Sequence, residues 1–546
     1  MRICKRLLIL FCVLAILLSS LSSCAGLLFL STVLGLRESG RAGLPIGEKL
    51  AYTLTEADRR TFSDRLNALE ELILTKRSAS KSQITAANEK VEDSYYHIAT
   101  QAELAYIYHC MNMADSEKSE AYLYATAMHS DIYSAYQAVC KRIDASDAPG
   151  REIFFAEWSE EELESMRGYS EEYSALKQQN ERLLVTYRAL SETESYERAP
   201  ELYLQIVQNN ARIASLYGFD DYCAYAYEKV YERDYSPADA AEIHRSVKTV
   251  LLPLCQRTLA NFQTGYSGLS SGDRAIVRSL LEGEYENSWD LLSGYFSSFS
   301  KQTENRMKGL FEEGNCFITS GKNADRGAFT SYLYEYDQPV CYFGPGYHDG
   351  YTVIHEMGHY LSAFYTAGLL PMDIAETQSQ ANEWLFTAYL EESLANGALA
   401  ETIFFYQLHS ALQTIIMASI IDEFEQSVYH DLPTSAEEFD ARMEEICADY
   451  GGIASVRAMF SDPLRYWRFV TLENPCYYIS YAFSMLVAVN FYEAAMRSYS
   501  AAQDAFLNLV ALDPEEGDSY CAWLKEQNLH TPFEEDYYQT IAALAS

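Results

Sequence analysis

Basic residues are scarce in this chain of 546 residues: 41 lysines and arginines stand against 78 aspartates and glutamates, a formal charge of -37. Nucleic acids and anionic membrane surfaces are held by clustered lysine and arginine, so no nucleic-acid partner is expected. The acidic excess reads as a solvated surface, with attraction for basic peptides as the alternative. CxxC spacings are missing too. Beyond Cys24, nine cysteines are scattered at 110, 140, 223, 255, 316, 341, 447, 476 and 521. They suggest buried small apolar side chains rather than a disulfide framework or a thiolate metal site. Internal repeats are absent, which excludes a solenoid, and strand-like alternation is rare.

What is present begins with bulk. At 49% hydrophobic content the chain can bury one large core, or two to three lobes, without crosslinks. Its N-terminus places Arg2, Lys5 and Arg6 before an uncharged, mostly apolar stretch at 7–36. That pattern predicts an export signal over 1–24. Leu21-Ser22-Ser23-Cys24 is similar to a lipobox, after which Cys24 would carry lipid; the longer run at 7–36 would alternatively span the bilayer uncleaved. Either anchor predicts a location on the outer face of a bacterial cytoplasmic membrane, with residues 37–48 as a tether.

From Thr55 onward apolar residues recur three and four apart, as in EADRRTFSDRLNALEELIL, which predicts a mainly α fold. Ser236-Pro237-Ala238-Asp239 predicts a helix beginning near 237, with a hydroxyl cap and proline in the first turn. The exception to helix is residues 327–350, where β-favouring residues meet four glycines and two prolines. A small β element and a glycine-rich loop are expected there.

Directly after that loop stands His355-Glu356-Met357-Gly358-His359. HExxH on a helix turns two imidazoles toward one metal ion, while the intervening glutamate is left beside it as a general base. A chain of this kind would contain the pattern by chance roughly once in a hundred sequences. One Zn2+ is the expected cofactor, and it needs a third protein ligand with a fourth position open. Glu376, near the start of the next helical pattern, is the first candidate. Glu383, two turns on, would orient a ligand histidine. Asp373 and Glu391 remain alternatives for the third ligand.

The order of β segment, glycine-rich loop, HExGH and a helix carrying Glu376, Ser379 and Glu383 resembles the oligoendopeptidase F and thimet oligopeptidase family. Residues 216–237 and NPCYYISYAF at 474–483 extend the resemblance to roughly 200–485. It implies a bowl-shaped or clam-like helical metallopeptidase that admits short, unfolded oligopeptides. An N-terminal helical region would cover 49–235 and a catalytic one 236–546. The resemblance further implies that residues 340–344 pair with the peptide backbone. Tyr477 and Tyr481 would donate to the oxyanion, with Tyr478 in reserve, and Gly344 and His348 would contact substrate. Two departures stand out: the interval from His359 to Glu376 is short, and the histidine upstream of the tyrosines is missing, with Arg468 as a substitute donor. Rival readings are an exopeptidase using the same metal site and a non-catalytic peptide-binding lipoprotein.

Overall fold

The computed structural model describes residues 50–545 except 76–78, 157, 159–162, 164, 165, 167–170, 189, 191, 367–369, 461 and 514–518. The export signal, lipobox, alternative anchor and tether therefore lie outside the described residues.

The fold is mainly α, as the periodicity predicts. Three helices begin it: α1 (Glu56–Thr75), α2 (Lys81–Met111) and α3 (Ser116–Asp144). In α1 the buried side chains Phe62, Leu66, Leu69 and Ile73 recur at helical spacing and so line one face. Ser80 starts α2 with a reciprocal capping box to Gln83, and Asp115 caps α3, so helix starts are written locally. At the expected boundary, α4 (Pro237–Ser246) opens with Ser236 accepting from Asp239 N–H and Pro237 in its first turn.

The small sheet has the order β1 (Cys316–Ile318), β3 (Gln338–Phe343), β2 (Ala328–Leu333). β3 pairs parallel with β1 and antiparallel with β2. The hydrophobic alternation marks β2 and β3; β1 is only three residues long and carries too short a pattern to be seen. Next come α5 (Gly350–Thr366), α6 (Met372–Ser393), the 34-residue α7 (Gly397–His430) and α8 (Ile479–Arg497). α7 and α8 are apolar enough to cross a membrane by composition, but 78% of each apolar window is buried inside the fold. Their hydrophobicity on all sides is that of central helices.

The apolar cores divide earlier than residue 235. One cluster, from Leu54 to Met166, joins α1–α3 and reaches Tyr332, Tyr334 and Ala363; the largest cluster runs from Tyr173 to Ala545. Tyr203, Tyr222 and Tyr227 thus pack with α7 and α8 rather than with the first three helices, because their partners come from distant sequence.

α2 also grips the sheet through a buried carboxyl: Ser331 Oγ on β2 donates to Glu103 Oε2 at 2.6 Å. Burial raises the Glu103 carboxyl to about 8, against the opposing effect of that hydrogen bond. A carboxyl raised in the folded state holds its proton where the unfolded chain has already released it, so stability falls as pH climbs from about 4.5 to about 8. Glu103→Gln should flatten this decline, as checked by urea unfolding at about pH 5 and about pH 8.

Candidate metal centre

The centre is built where α5 crosses α6. Asp349 prepares the start of α5 by accepting from Thr352 N–H at 3.0 Å and from its hydroxyl at 2.7 Å. Within α5, His355 and His359 are one turn apart and Glu356 is fully buried. The crossing is close because of Gly358. A Cβ there would meet Gln378 O and Ser379 Cα, both at 2.6 Å, which is backbone rather than a side chain that could swing aside. A side-chain amide reinforces the contact: Asn382 Nδ2 donates to Ile354 O at 2.7 Å and is itself held by the Tyr295 hydroxyl at 2.6 Å.

That approach brings Glu376 to the two histidines. One potential ligand atom from each of His355, His359 and Glu376 lies within 4.8 Å of the others. Both ring nitrogens of His359 and Oε1 of Glu376 are buried without a hydrogen-bond partner. Unpartnered buried polar atoms are costly, so a His359 nitrogen and a Glu376 oxygen left without partners beside His355 fit a bound cation, and two imidazoles with a carboxylate suit zinc. Glu383 Oε1 lies 2.6 Å from His355 Nδ1, leaving His355 Nε2 toward Glu376 at 3.8 Å, and Gln407 Nε2 holds the other Glu383 oxygen at 2.7 Å. The short His359 to Glu376 interval is thus sufficient for the two helices to meet.

The electrostatics match this geometry. Burial, with the nearby His355 charge, drives His359 well below its ordinary range, so its imidazole is neutral and able to ligate. Burial opposes protonation of His355 too, but the Glu383 hydrogen bond and the Glu383, Glu356 and Glu376 charges raise it to about 9. Burial lifts Glu376 to about 7, offset in part by His355 and reinforced by Glu356 and Glu383. Three carboxylates in one pocket repel one another, and a dication offsets that repulsion. Glu356 has a partner of its own: Thr330 Oγ1 on β2 donates to its Oε2 at 2.9 Å.

The alternative ligands stand elsewhere. Asp373 faces Arg233, with Oδ1 3.9 Å from Nε, and Glu391 accepts from the Tyr492 hydroxyl. Tyr477 and Tyr481 come together, OH to OH at 3.3 Å, although Tyr477 precedes the first turn of α8. The Glu376 charge adds to burial in raising the Tyr477 phenol well above its usual range, which sets the tyrosine beside the metal centre. Tyr478 instead pairs with the Tyr466 hydroxyl at 2.9 Å. Arg468 is consumed by Asp440, at 2.7 and 2.8 Å, and by stacking over Tyr196 and Trp467.

The expected peptide-pairing role of 340–344 does not fit the topology. β3 is flanked on both sides across residues 341–343, so its backbone edges are filled. Gly344 N–H donates to Gly327 O at 2.8 Å, and its carbonyl accepts from Tyr347 N–H and lies 3.1 Å from His348 Nδ1. A side chain at Gly344 would strike Asp325 O at 2.0 Å, so packing alone requires the glycine. His348 accordingly braces the loop. β2 is the sheet edge that touches Glu356 through Thr330.

Sequence reasoning missed Thr330, Gln407, Asn382 and Arg233. The buried Arg233 donates to Tyr477 O at 3.1 Å and Ser480 Oγ at 2.9 Å, and its guanidinium lies over the Tyr227 and Tyr231 rings. It ties the tyrosine turn to Asp373, one turn before Glu376. Only a cation inside a tyrosine-rich stretch signalled it in the sequence.

Two outcomes follow from the crossing and the outer contacts of the ligands. Gly358→Ala should lose about 1–3 kcal/mol of stability in urea unfolding, whereas Gly397→Ala, with nothing within 4 Å of its new Cβ, should stay near wild type. Gln407→Ala should weaken zinc affinity by about 10–100-fold in a competition titration against a chelator.

No protein-family model and no curated protein matches the sequence. Solved structures do match the fold. A chain provisionally named oligoendopeptidase F superposes with a TM-score of 0.66 at 16% identity, over 92% of this chain and 98% of that one. Pz peptidase A with an inhibitor gives 0.66 at 15% identity, over 93% and 99%. A chain from Bacillus anthracis strain Ames, also provisionally named oligoendopeptidase F, gives 0.63 at 17%, over 92% and 97%. Along nearly its whole described length, the chain has the fold of these oligoendopeptidase F and Pz peptidase structures.

Proposed function

We propose that this protein is a zinc metallopeptidase that cleaves short, unfolded oligopeptides, anchored outside the cytoplasmic membrane by its N-terminus. The observation that carries the chemistry is the convergence of unpartnered His359 and Glu376 atoms with His355, directly beside the buried Glu356. The anchor and location rest on residues 1–36 alone.

His355, His359 and Glu376 would hold the ion. When bound, zinc supplies Lewis acidity, which lowers the pKa of a water and polarises the scissile carbonyl. Glu356 takes a proton from the attacking water and passes it to the leaving amine; the Thr330 hydroxyl fixes its carboxylate for both transfers. Tyr477, whose raised pKa keeps its phenol protonated through neutral pH, donates to the oxyanion, and Tyr481 supports it. The peptide lies extended along β2, whose edge position next to Glu356 suits backbone pairing.

The decisive experiment is mass spectrometry of an unstructured peptide mixture after incubation with the protein, with Glu356→Gln and with chelator-treated protein. Internal cuts that vanish in both controls are expected. Single-residue losses would replace the endopeptidase with an exopeptidase, and intact peptides with folded, zinc-loaded protein would overturn the enzymatic reading. Tyr477→Phe should lower kcat by about 10²–10³-fold with little change in KM, measured on one cleaved peptide.

A further inference from the structure

Away from the metal ligands, two buried thiols from opposite ends of the largest core meet: Cys223 Sγ lies 3.0 Å from Cys476 Sγ, across 253 residues of sequence. We propose that Cys223 and Cys476 form a disulfide in the mature protein, and that this bond fixes the turn carrying Tyr477. The sulfurs are about 1 Å beyond the bonded separation of about 2.05 Å, a gap that small side-chain rotations close. Both residues are buried, so the contact is made inside the core rather than at the surface.

The placement gives the bond a purpose. Cys476 is one of four non-glycine residues with positive φ among the described residues, at 63°, a conformation that must be imposed by its surroundings. Three contacts impose it: Cys476 N–H donates to Glu425 Oε1 at 2.9 Å, the Tyr231 hydroxyl to Pro475 O at 2.8 Å, and Arg233 to Tyr477 O at 3.1 Å. Tyr231 and Arg233 follow Cys223 within the same stretch, so the bond would connect covalently the two segments these contacts already hold. Closing so long a loop also restricts the unfolded chain strongly.

The chemistry needs an oxidant, which is a disulfide: an oxidoreductase disulfide during export, or oxidised glutathione in vitro. One cysteine thiolate attacks the oxidant's disulfide and releases one of its thiolates. The second cysteine then displaces the other, so the two protons and two electrons lost by the cysteines end on the oxidant's two thiols. Burial raises the Cys223 thiol to about 11 and holds the Cys476 thiol well above its ordinary range, so the bond forms while the site is open during folding.

The test uses the full-length chain in detergent, refolded in a glutathione redox buffer, then alkylated in denaturant and digested without reduction. The expected result is a Cys223–Cys476 linked peptide two hydrogens lighter than its components, with the other described cysteines alkylated. Alkylation of both residues, or pairing of either with another cysteine, overturns the proposal. As a second readout, a phosphine reductant should lower the thermal midpoint of the wild type and leave that of Cys223→Ser unchanged. Equal responses overturn it as well. Neither readout depends on peptidase activity.

Discussion

The absence of a side chain at Gly358 sets the distance between α5 and α6, and the candidate ligands His355, His359 and Glu376 come together only at that distance. A helix presents its histidines in a fixed relation to each other, but the third ligand must come from another element, and the separation of two helix axes depends on the residues between them. With backbone 2.6 Å from the missing Cβ, even alanine would push Glu376 away from His355 and His359. Asn382 and Tyr295 then fix the crossing laterally, and Glu383 and Gln407 fix the ring of His355.

A second scaffold holds the tyrosines. Arg233 is buried among Tyr227, Tyr231 and Tyr235, and it reaches Tyr477 O, Ser480 and Asp373 together. A buried guanidinium is stable only where carbonyls, a carboxylate and aromatic faces replace its water. That requirement works in both directions: the same contacts that solvate Arg233 hold the tyrosine turn against the start of the ligand helix. The candidate metal centre and the Tyr477 turn are thus positioned by separate sets of interactions that share α6.

The sheet has a supporting part. β3 is interior and gives its backbone to its neighbours, while β2 contributes Thr330 to Glu356 on one side and Ser331 to Glu103 on the other. Through Glu103 the first three helices, which have their own core, are connected to the strand that holds Glu356. β2 therefore bridges α2 and the HExGH helix through two adjacent hydroxyls, Ser331 and Thr330.

Much of this was legible in local pattern. The helical class, the start of α4 at Pro237 and the paired histidines of HExGH follow from spacings within one or two turns, where chain geometry alone relates the side chains, whereas Glu376 on the next helix is marked only by its place in the order of motifs. What the sequence could not determine is everything that depends on contact between distant segments. β3's interior position removed residues 340–344 as a peptide-pairing edge, and the largest apolar core gathers residues from Tyr173 to Ala545. Thr330, Gln407, Arg233 and the approach of Cys223 to Cys476 acquired meaning only after packing. Local periodicity fixes which face of an element is apolar, but which faces meet, and at what distance, is set by the summed packing of the whole chain.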